Sequence, residues 1–509
     1  MRQYPSIFND VIGPVMIGHS SSHTAASLRI GRVIRQLAGN RAVKSVKFSF
    51  DRESSLATTY SSQGSDIGLL SGLLGFETDD IRIPDAHVYA GEAGIDYSFE
   101  VKDIGLGHPN AYYVDFTCHN GKRLTLTAIS AGGGMIEIID YLGFPVSIDG
   151  GFFETLIIGS STQTAAIAAK IKEAQPGKHI ISIFEKKGDS LINIKSEQEF
   201  KLDLPDIELT QIKPVMPVIS QISPRIPFVT AKEIIEYSKF YDNSFWELAV
   251  LYESIRSGLS AEAVMRKMTA IVDTLRQSLA APDNKEIKDR ILPNQARLIE
   301  GNHNVLGGSF NKNVIKYVTR FMDIKTSMGV FVAAPTAGAC GCLCGCVFAL
   351  GEELGLCNDD MAKALLSAGL VGVIIAHHST FAAELCGCQA ECGAGSGMAA
   401  AACAGILMAP VNTCLAAASM ALQNILGLVC DPVGNKVEVP CLGKNILGAF
   451  NALACANMAV SGYAEVIPLD ETIAAMDEVG RSIPRELRCT GLGGLSTTKT
   501  SLRILKEGQ

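Results

Sequence analysis

The sequence predicts three parts in one chain: an α+β N-terminal domain, a small βαββ module, and a large, mostly α-helical C-terminal domain. Three observations carry this. Residues 1 to 150 mix helical and alternating apolar patterns. Residues 153 to 202 read as strand, helix, strand, strand. From residue 230 onward the period is helical, and the composition suits closely packed helices: 47% of residues are hydrophobic but only 6% aromatic, with a single Trp, so the apolar side chains are mostly small aliphatics.

The 509 residues are enough for roughly two to four domains, each with its own core. A formal charge of −8 leaves no basic footprint for nucleic acid and no polybasic arm for an anionic membrane, so a small molecule is the expected partner. The start, Met1-Arg2-Gln3-Tyr4-Pro5, lacks the apolar core of a signal peptide, and a cytoplasmic location is expected. Gly329 to Gly351 and Cys392 to Val429 could pass for membrane spans. Both are rich in Ala, Gly, Ser, Cys and Thr, and Pro335, Pro410 and Asn412 interrupt them, so buried helices are expected instead.

In the first domain the pattern places a helix over residues 25–37 and a strand over 45–50. Before the helix stands Gly18-His19-Ser20-Ser21-Ser22-His23-Thr24. Hydroxyls at a helix start can cap it, and the free backbone N–H groups can equally hold a carboxylate. The middle stretch predicts a strand over 154–158, a helix over 162–173, and a hairpin of 179–185 with 190–195 turned by Lys187-Gly188-Asp189. Pro205, Pro214, Pro217, Pro224 and Pro227 mark residues 203–229 as linker. Helices are then expected over 231–237, 245–257 and 261–280.

Fourteen of the fifteen cysteines follow residue 300, Cys118 being the exception. In a cytoplasmic chain such clustering points to thiols or metal rather than disulfides. Cys340, Cys342, Cys344 and Cys346 lie two apart, and on a helix such neighbours point about 200° away from each other. They cannot converge on one ion, and are expected as buried small residues split into two pairs. Cys388, Cys430 and Cys441 are flanked by turn-formers, Gly387, Asp431-Pro432 and Pro440, and loops can aim three thiolates at one point. Three thiolates are one short of closing a cubane cluster, which leaves one iron open. Zinc is the rival, although paired Cys-x2-Cys knuckles are missing. Cys386 and Cys392 stand near enough to replace Cys388 or to add a fourth ligand.

Cys386-Gly387-Cys388-Gln389-Ala390-Glu391, Cys430-Asp431-Pro432 and Pro440-Cys441 resemble, in order, the cluster segments of the iron-sulfur-dependent L-serine dehydratases (L-serine ammonia-lyases). Leu306-Gly307-Gly308-Ser309, Ser327-Met328-Gly329, Ala333-Ala334-Pro335-Thr336-Ala337-Gly338, Leu492-Gly493-Gly494-Leu495 and Thr498-Lys499-Thr500 resemble other segments of that family's alpha domain. The Ser20–Thr24 turn, His108-Pro109-Asn110 and Ala131-Gly132-Gly133-Gly134 resemble its beta domain. The resemblance implies fused domains: beta-like over 1–150, an ACT-like module over 153–202, linker over 203–229, and an alpha-like catalytic domain over 230–509. A plain linking subdomain is the alternative for the module.

What the resemblance implies for function is a cytoplasmic, oxygen-sensitive homodimeric lyase of amino-acid metabolism. It would carry a [4Fe-4S] cluster on Cys388, Cys430 and Cys441 and eliminate water from L-serine, with the open iron as Lewis acid. Ser20, Ser21, Ser22, Thr24 and Asn110 would hold the amino acid, and His23 and His108 would orient it or shuttle protons. One departure matters. Where the family has a Gly-His-Gly-Thr-Asp segment whose histidine is the favoured base, this chain has Ser62-Gln63-Gly64-Ser65-Asp66, and an amide is no base. His19 stands where the family has proline, so either His19 or another group replaces the base, or the substrate is another small β-substituted acid such as threonine or cysteine. A non-catalytic amino-acid or metal sensor is the reading from a different class.

Overall fold

Alternating burial along the strands builds the first sheet. A computed structural model describes residues 4–39, 42–186, 188–199, 209–281, 290–302 and 304–507; Lys187 of the expected hairpin turn and residues 203–208 of the expected linker, Pro205 among them, lie outside the described residues. The strands are β1 (Val15–Met16), β2 (Val43–Asp51), β3 (Asp96–Lys102), β4 (Ala111–Cys118), β5 (Arg123–Gly132), β6 (Met135–Tyr141), β7 (Phe153–Ser160), β8 (Ile180–Lys186), β9 (Asp189–Ser196), β10 (Leu209–Ile212) and β11 (Phe331–Val332). Five of them form a sheet in the order β3-β2-β4-β5-β6, with β2 and β3 parallel and the other pairs antiparallel. Phe48, Phe50, Tyr112, Val114, Leu126 and Ile138 turn inward against helix Ala26–Ala38, whose Ala26, Ile30, Val33, Ile34 and Leu37 make a single apolar face.

The second sheet is antiparallel throughout, in the order β10-β7-β9-β8, with helix Ser161–Ala174 packing Ile167, Ala168 and Ile171 on Ile157, Ile192 and Ile194. This is a split β-α-β arrangement. Its fourth strand, β10, comes from the stretch expected to be linker: four residues there pair along the edge of β7 and bury Ile212. Four residues are too short for a period to stand out in the sequence.

The rest is helical, and glycine sets how closely the helices approach. A side chain at Gly341 or Gly345 of helix Cys340–Leu354 would meet Val318 of helix Gly308–Thr326 at 2.9 or 2.4 Å. The cysteine run is therefore a packing surface, buried throughout. Segments Ala337–Leu354 and Asn358–His378 are apolar enough to cross a membrane by length and composition, yet 78% and 83% of their apolar 18-residue stretches is buried inside the protein. Helix Cys392–Ile406 is buried along nearly its whole length.

The N-terminus threads into this helical body. Ile7 and Val11 press on Gly369 and Gly372, and Glu253 accepts hydrogen bonds from Ser6 Oγ and Ile7 N–H, both at 2.7 Å. β1 then pairs with β11. Residues 4–16, expected in the N-terminal domain, thus tie the next segment, the Ser20–Thr24 turn, to the helical domain.

Helix Ala26–Ala38 rests on helix Ser65–Leu74 through Gly31, Gly68 and Gly72; a Cβ at Gly68 would lie 2.0 Å from Ser27 Oγ and 2.4 Å from the Thr24 carbonyl. Gly68→Ala is expected to overpack this contact and destabilise the protein by about 1–3 kcal/mol, read as a lowered urea midpoint; an unchanged midpoint would show that the helices separate freely.

Candidate functional site

The hydroxyl-rich turn is both a cap and a site. Ser20 is extended and its Oγ accepts from the His23 N–H at 3.3 Å; Ser21–Ala25 make a wide turn that runs into helix Ala26–Ala38. The hydrogen bonds assign the His23 tautomer. Thr59 donates its hydroxyl to the Ser55 carbonyl (2.8 Å), so at 2.9 Å it accepts from His23 Nε2–H. Ser22 donates to Glu384 Oε1 at 2.9 Å, which leaves Ser20 Oγ, at 3.0 Å, as the donor to His23 Nδ1. Burial lowers the His23 pKa against the pull of Glu384, so the ring is neutral and both nitrogens are engaged. Thr24, expected among the substrate holders, spends its hydroxyl on the Gln63 carbonyl at 2.9 Å and braces the turn instead.

Glu384 was not singled out in the sequence. Its carboxylate is buried, and Oε2 has no hydrogen-bond partner among the described residues. The same holds for both amide atoms of the fully buried Asn110 and for Ser130 Oγ. Buried polar groups without partners are rare and costly, so orphans gathered in one region point to a ligand. A cavity of about 360 Å³ reaches this region, lined by His108, Pro109, Glu384, Arg485, Arg488 and Thr490. His108 Nδ1 accepts from the Asn110 N–H at 3.1 Å, and burial lowers its pKa. The glycine run explains the docking: a Cβ at Gly132 would meet Ala382 N at 2.8 Å, so the β5–β6 turn can sit directly on the segment that carries Glu384.

The thiols lie beside Glu384. Gly387 has φ of +71°, and a Cβ there would meet the Leu428 carbonyl at 2.8 Å, so only glycine lets the Cys388 turn close on the segment before Cys430. Gln389 fastens that turn, donating to the Met476 carbonyl (2.5 Å) and accepting from Gly427 N–H (2.8 Å). Ligand atoms of Cys388, Cys430 and Glu391 lie within 4.8 Å of one another, the one such group of three among the described residues. Cys441 opens helix Cys441–Val460 outside that group, but its thiol feels the charge of Cys388 and Glu391. Hydrogen bonds from the Cys392 and Cys430 thiols, with Lys444 nearby, pull the Cys388 pKa well down. Lys444 is itself fixed by the Val429 carbonyl (2.7 Å) and Asp431 (2.9 Å). Burial, then the Cys388 and Glu384 charges, raise Glu391 to about 8, while Thr336 donates to it at 2.7 Å.

Other motifs find their reasons here. The Thr336-Ala337 segment bridges the two halves, since the Ala337 N–H donates to Ser21 Oγ at 3.1 Å. Gly494 approaches Asp431 so closely that a Cβ would lie 2.6 Å from Oδ2, which ties the Gly-Gly segment to Cys430-Asp431-Pro432. Leu306 is 95% exposed, and Thr498 Oγ1 accepts from the Ser501 N–H to cap the surface helix Lys499–Glu507, so neither segment reaches the site. Cys386 donates its thiol to Asp477 at 3.9 Å. Soft, buried thiol donors with a cation beside them suit an iron-sulfur cluster or another thiophilic metal.

His19 is separate from this network. It lines a cavity of about 330 Å³ with Tyr60, Ser62, Arg290, Lys436 and Glu438, and burial, then Lys325 and Lys436, lower its pKa to about 4, with Asp66 opposing and Arg290 assisting. The unfolded chain takes up this proton near pH 6.5, the folded protein only near 4. The stability it confers is therefore full above about 6.5 and lost as the pH falls toward 4. His19→Asn is expected to flatten the loss of stability between those values, measured as denaturant midpoints across the range; an unchanged slope would mean that His19 is protonated in the fold. Thr59→Val, which strips the acceptor from His23 Nε2–H, is expected to cost about 1–3 kcal/mol in the same measurement.

The description "Serine dehydratase alpha chain" matches residues 161–496. The chain is 35% identical over 289 residues to "L-serine dehydratase, alpha chain" of Peptoniphilus asaccharolyticus, covering 55% of this chain and 99% of that protein. It is 44% identical over 156 residues to "Probable L-serine dehydratase, beta chain" of Bacillus subtilis, covering 31% and 69%. Against "L-serine dehydratase 1" of Escherichia coli it is 25% identical over 501 residues, covering 95% and 97%. With two thiols of the expected trio in one buried group and the alpha-chain match running through all three, the chain belongs to the serine dehydratase family.

Proposed function

We propose that this protein eliminates water from L-serine to give pyruvate and ammonia, using a [4Fe-4S] cluster held by Cys388, Cys430 and Cys441. The observation that supports it best is the unpartnered Oε2 of buried Glu384, whose charge acts on Glu391 of the thiol group, a place for a small polar ligand near a soft metal site. Bound there, such a cluster supplies a Lewis-acidic iron for the substrate hydroxyl. The protein's own groups do the rest. Ser20, Ser21 and Asn110 receive the carboxylate and ammonium. Glu384 Oε2 takes the α-proton, in place of the imidazole absent at Gln63, while Ser22 holds its other oxygen and His23, accepting from Ser20, fixes the turn that carries Ser22. His108 stands at the cavity wall to pass the proton outward. The aminoacrylate product then tautomerises and hydrolyses in water.

The split β-α-β order of the 153–212 sheet supports an ACT-like module, with an effector as its ligand. Burial of the apolar helices within the protein supports a cytoplasmic enzyme, and we take its assembly as a homodimer. After anaerobic reconstitution, iron-sulfur absorbance and pyruvate release from serine are expected; Cys388→Ser is expected to lose both, and Glu384→Gln to keep the absorbance while losing at least about a hundredfold in kcat, the scale of a removed general base. A colourless zinc protein would overturn the reading, and faster release from threonine or cysteine in the same assay would move the substrate.

A further inference from the structure

A cavity of about 460 Å³ lies where the threaded N-terminus, helix Ala26–Ala38, the 214–217 stretch and helix Ala261–Ala280 meet, and it shares no lining residue with the cavities beside Glu384 and His19. Its charged walls are Arg29, Arg32, Lys267, Glu77 and Asp79. Arg29 is the unusual one. It is 1% exposed, its one hydrogen bond among the described residues runs from Nη1 to the Gly134 carbonyl at 2.6 Å, and its Nε–H has no partner. Asp10 and Glu77 act on it through charge alone, because Asp10 Oδ2 accepts from the Ser6 N–H at 2.8 Å and Glu77 pairs with Arg32. Burial lowers the Arg29 pKa only to about 10, so the guanidinium stays charged at neutral pH. Lys267, half-buried on helix Ala261–Ala280, likewise has no ion pair or hydrogen bond among the described residues.

A buried charge without a counter-ion is costly, and a guanidinium with an unused N–H at a cavity wall is suited to a carboxylate. The other walls choose the kind of anion. Three cations against two acids leave one positive charge in excess, which suits a single negative charge better than a phosphate dianion. Buried Ile12, Val215 and Met216 give a short carbon chain a place out of water. We propose that this cavity binds a small organic monocarboxylate with a short apolar chain, its carboxylate held by Arg29 and Lys267. The arginine that anchors it also fastens Gly134, in the turn that sits on the segment carrying Glu384. Val215 and Met216 are tied through their N–H groups to the Gly150 carbonyl at 2.9 and 3.2 Å. A bound carboxylate therefore braces the N-terminal domain, the stretch after β10 and the helical domain together.

Isothermal titration calorimetry of the reconstituted full chain with butyrate tests this independently of the lyase reading. The wild type is expected to bind butyrate saturably, and its thermal midpoint to rise with butyrate concentration. Lys267→Met, which removes an unpartnered charge, is expected to weaken binding about tenfold or more, the scale of a lost hydrogen bond to a charged group. Arg29→Lys, which keeps the charge but loses the fork, is expected to weaken it as well. Circular dichroism establishes that each variant is folded; if Arg29→Lys does not fold, Lys267→Met decides alone. Inorganic phosphate is expected to bind more weakly than butyrate. No saturable binding of butyrate to the wild type, an unchanged affinity in folded Lys267→Met, or tighter binding of phosphate would each overturn the assignment.

Discussion

The hydrogen bond from Ser22 to Glu384 joins residues 362 positions apart, and the rest of the site depends on it. It holds one oxygen of a buried carboxylate, and the other has no hydrogen-bond partner among the described residues. A half-satisfied buried carboxylate costs folding energy, so the surrounding structure has to hold it. The threaded N-terminus, the β1–β11 pair and the Ser21–Ala337 contact bring the hydroxyl turn to the helical domain. The glycine turn after β5 brings the sheet to the other side of Glu384.

The sulfur pocket has its own balance of charge. Hydrogen bonds from the Cys392 and Cys430 thiols pull Cys388 well down while those two are themselves pushed up, and Lys444, locked by Asp431, supplies an opposing charge. Asp431 in turn accepts from the Leu495 N–H at 3.0 Å, so the segment that positions Cys430 is fastened to the chain's C-terminal part. The Cys340–Cys346 run, more conspicuous in the sequence, is buried throughout. Its thiols are pushed upward by burial and serve as small packing groups between helices.

Much of the fold was legible because it is local. Helix Phe245–Ser257 and helix Ala261–Ala280 begin and end where their apolar period does, and β2 and β7 extend the expected strands by a few residues. β10 was illegible because four residues carry no period, and its pairing partner lies some distance earlier in the chain. Within the site, Thr59 had no motif to mark it. Glu384 did leave a signal: it is the acid in an otherwise uncharged stretch between His378 and Glu391.

By itself the sequence determined most of the elements, the packing role of the cysteine run, and the candidate thiols flanked by a glycine and prolines. Only the tertiary structure decided which groups meet: that His19 turns to a cavity beside Arg290 and Lys436, that Thr24 braces the turn, and that Gln63 faces Cys489. The reason is physical. Period and turn chemistry act over a few residues, so they are written locally, while convergence across hundreds of residues depends on closing long loops and on close contacts that no single segment encodes.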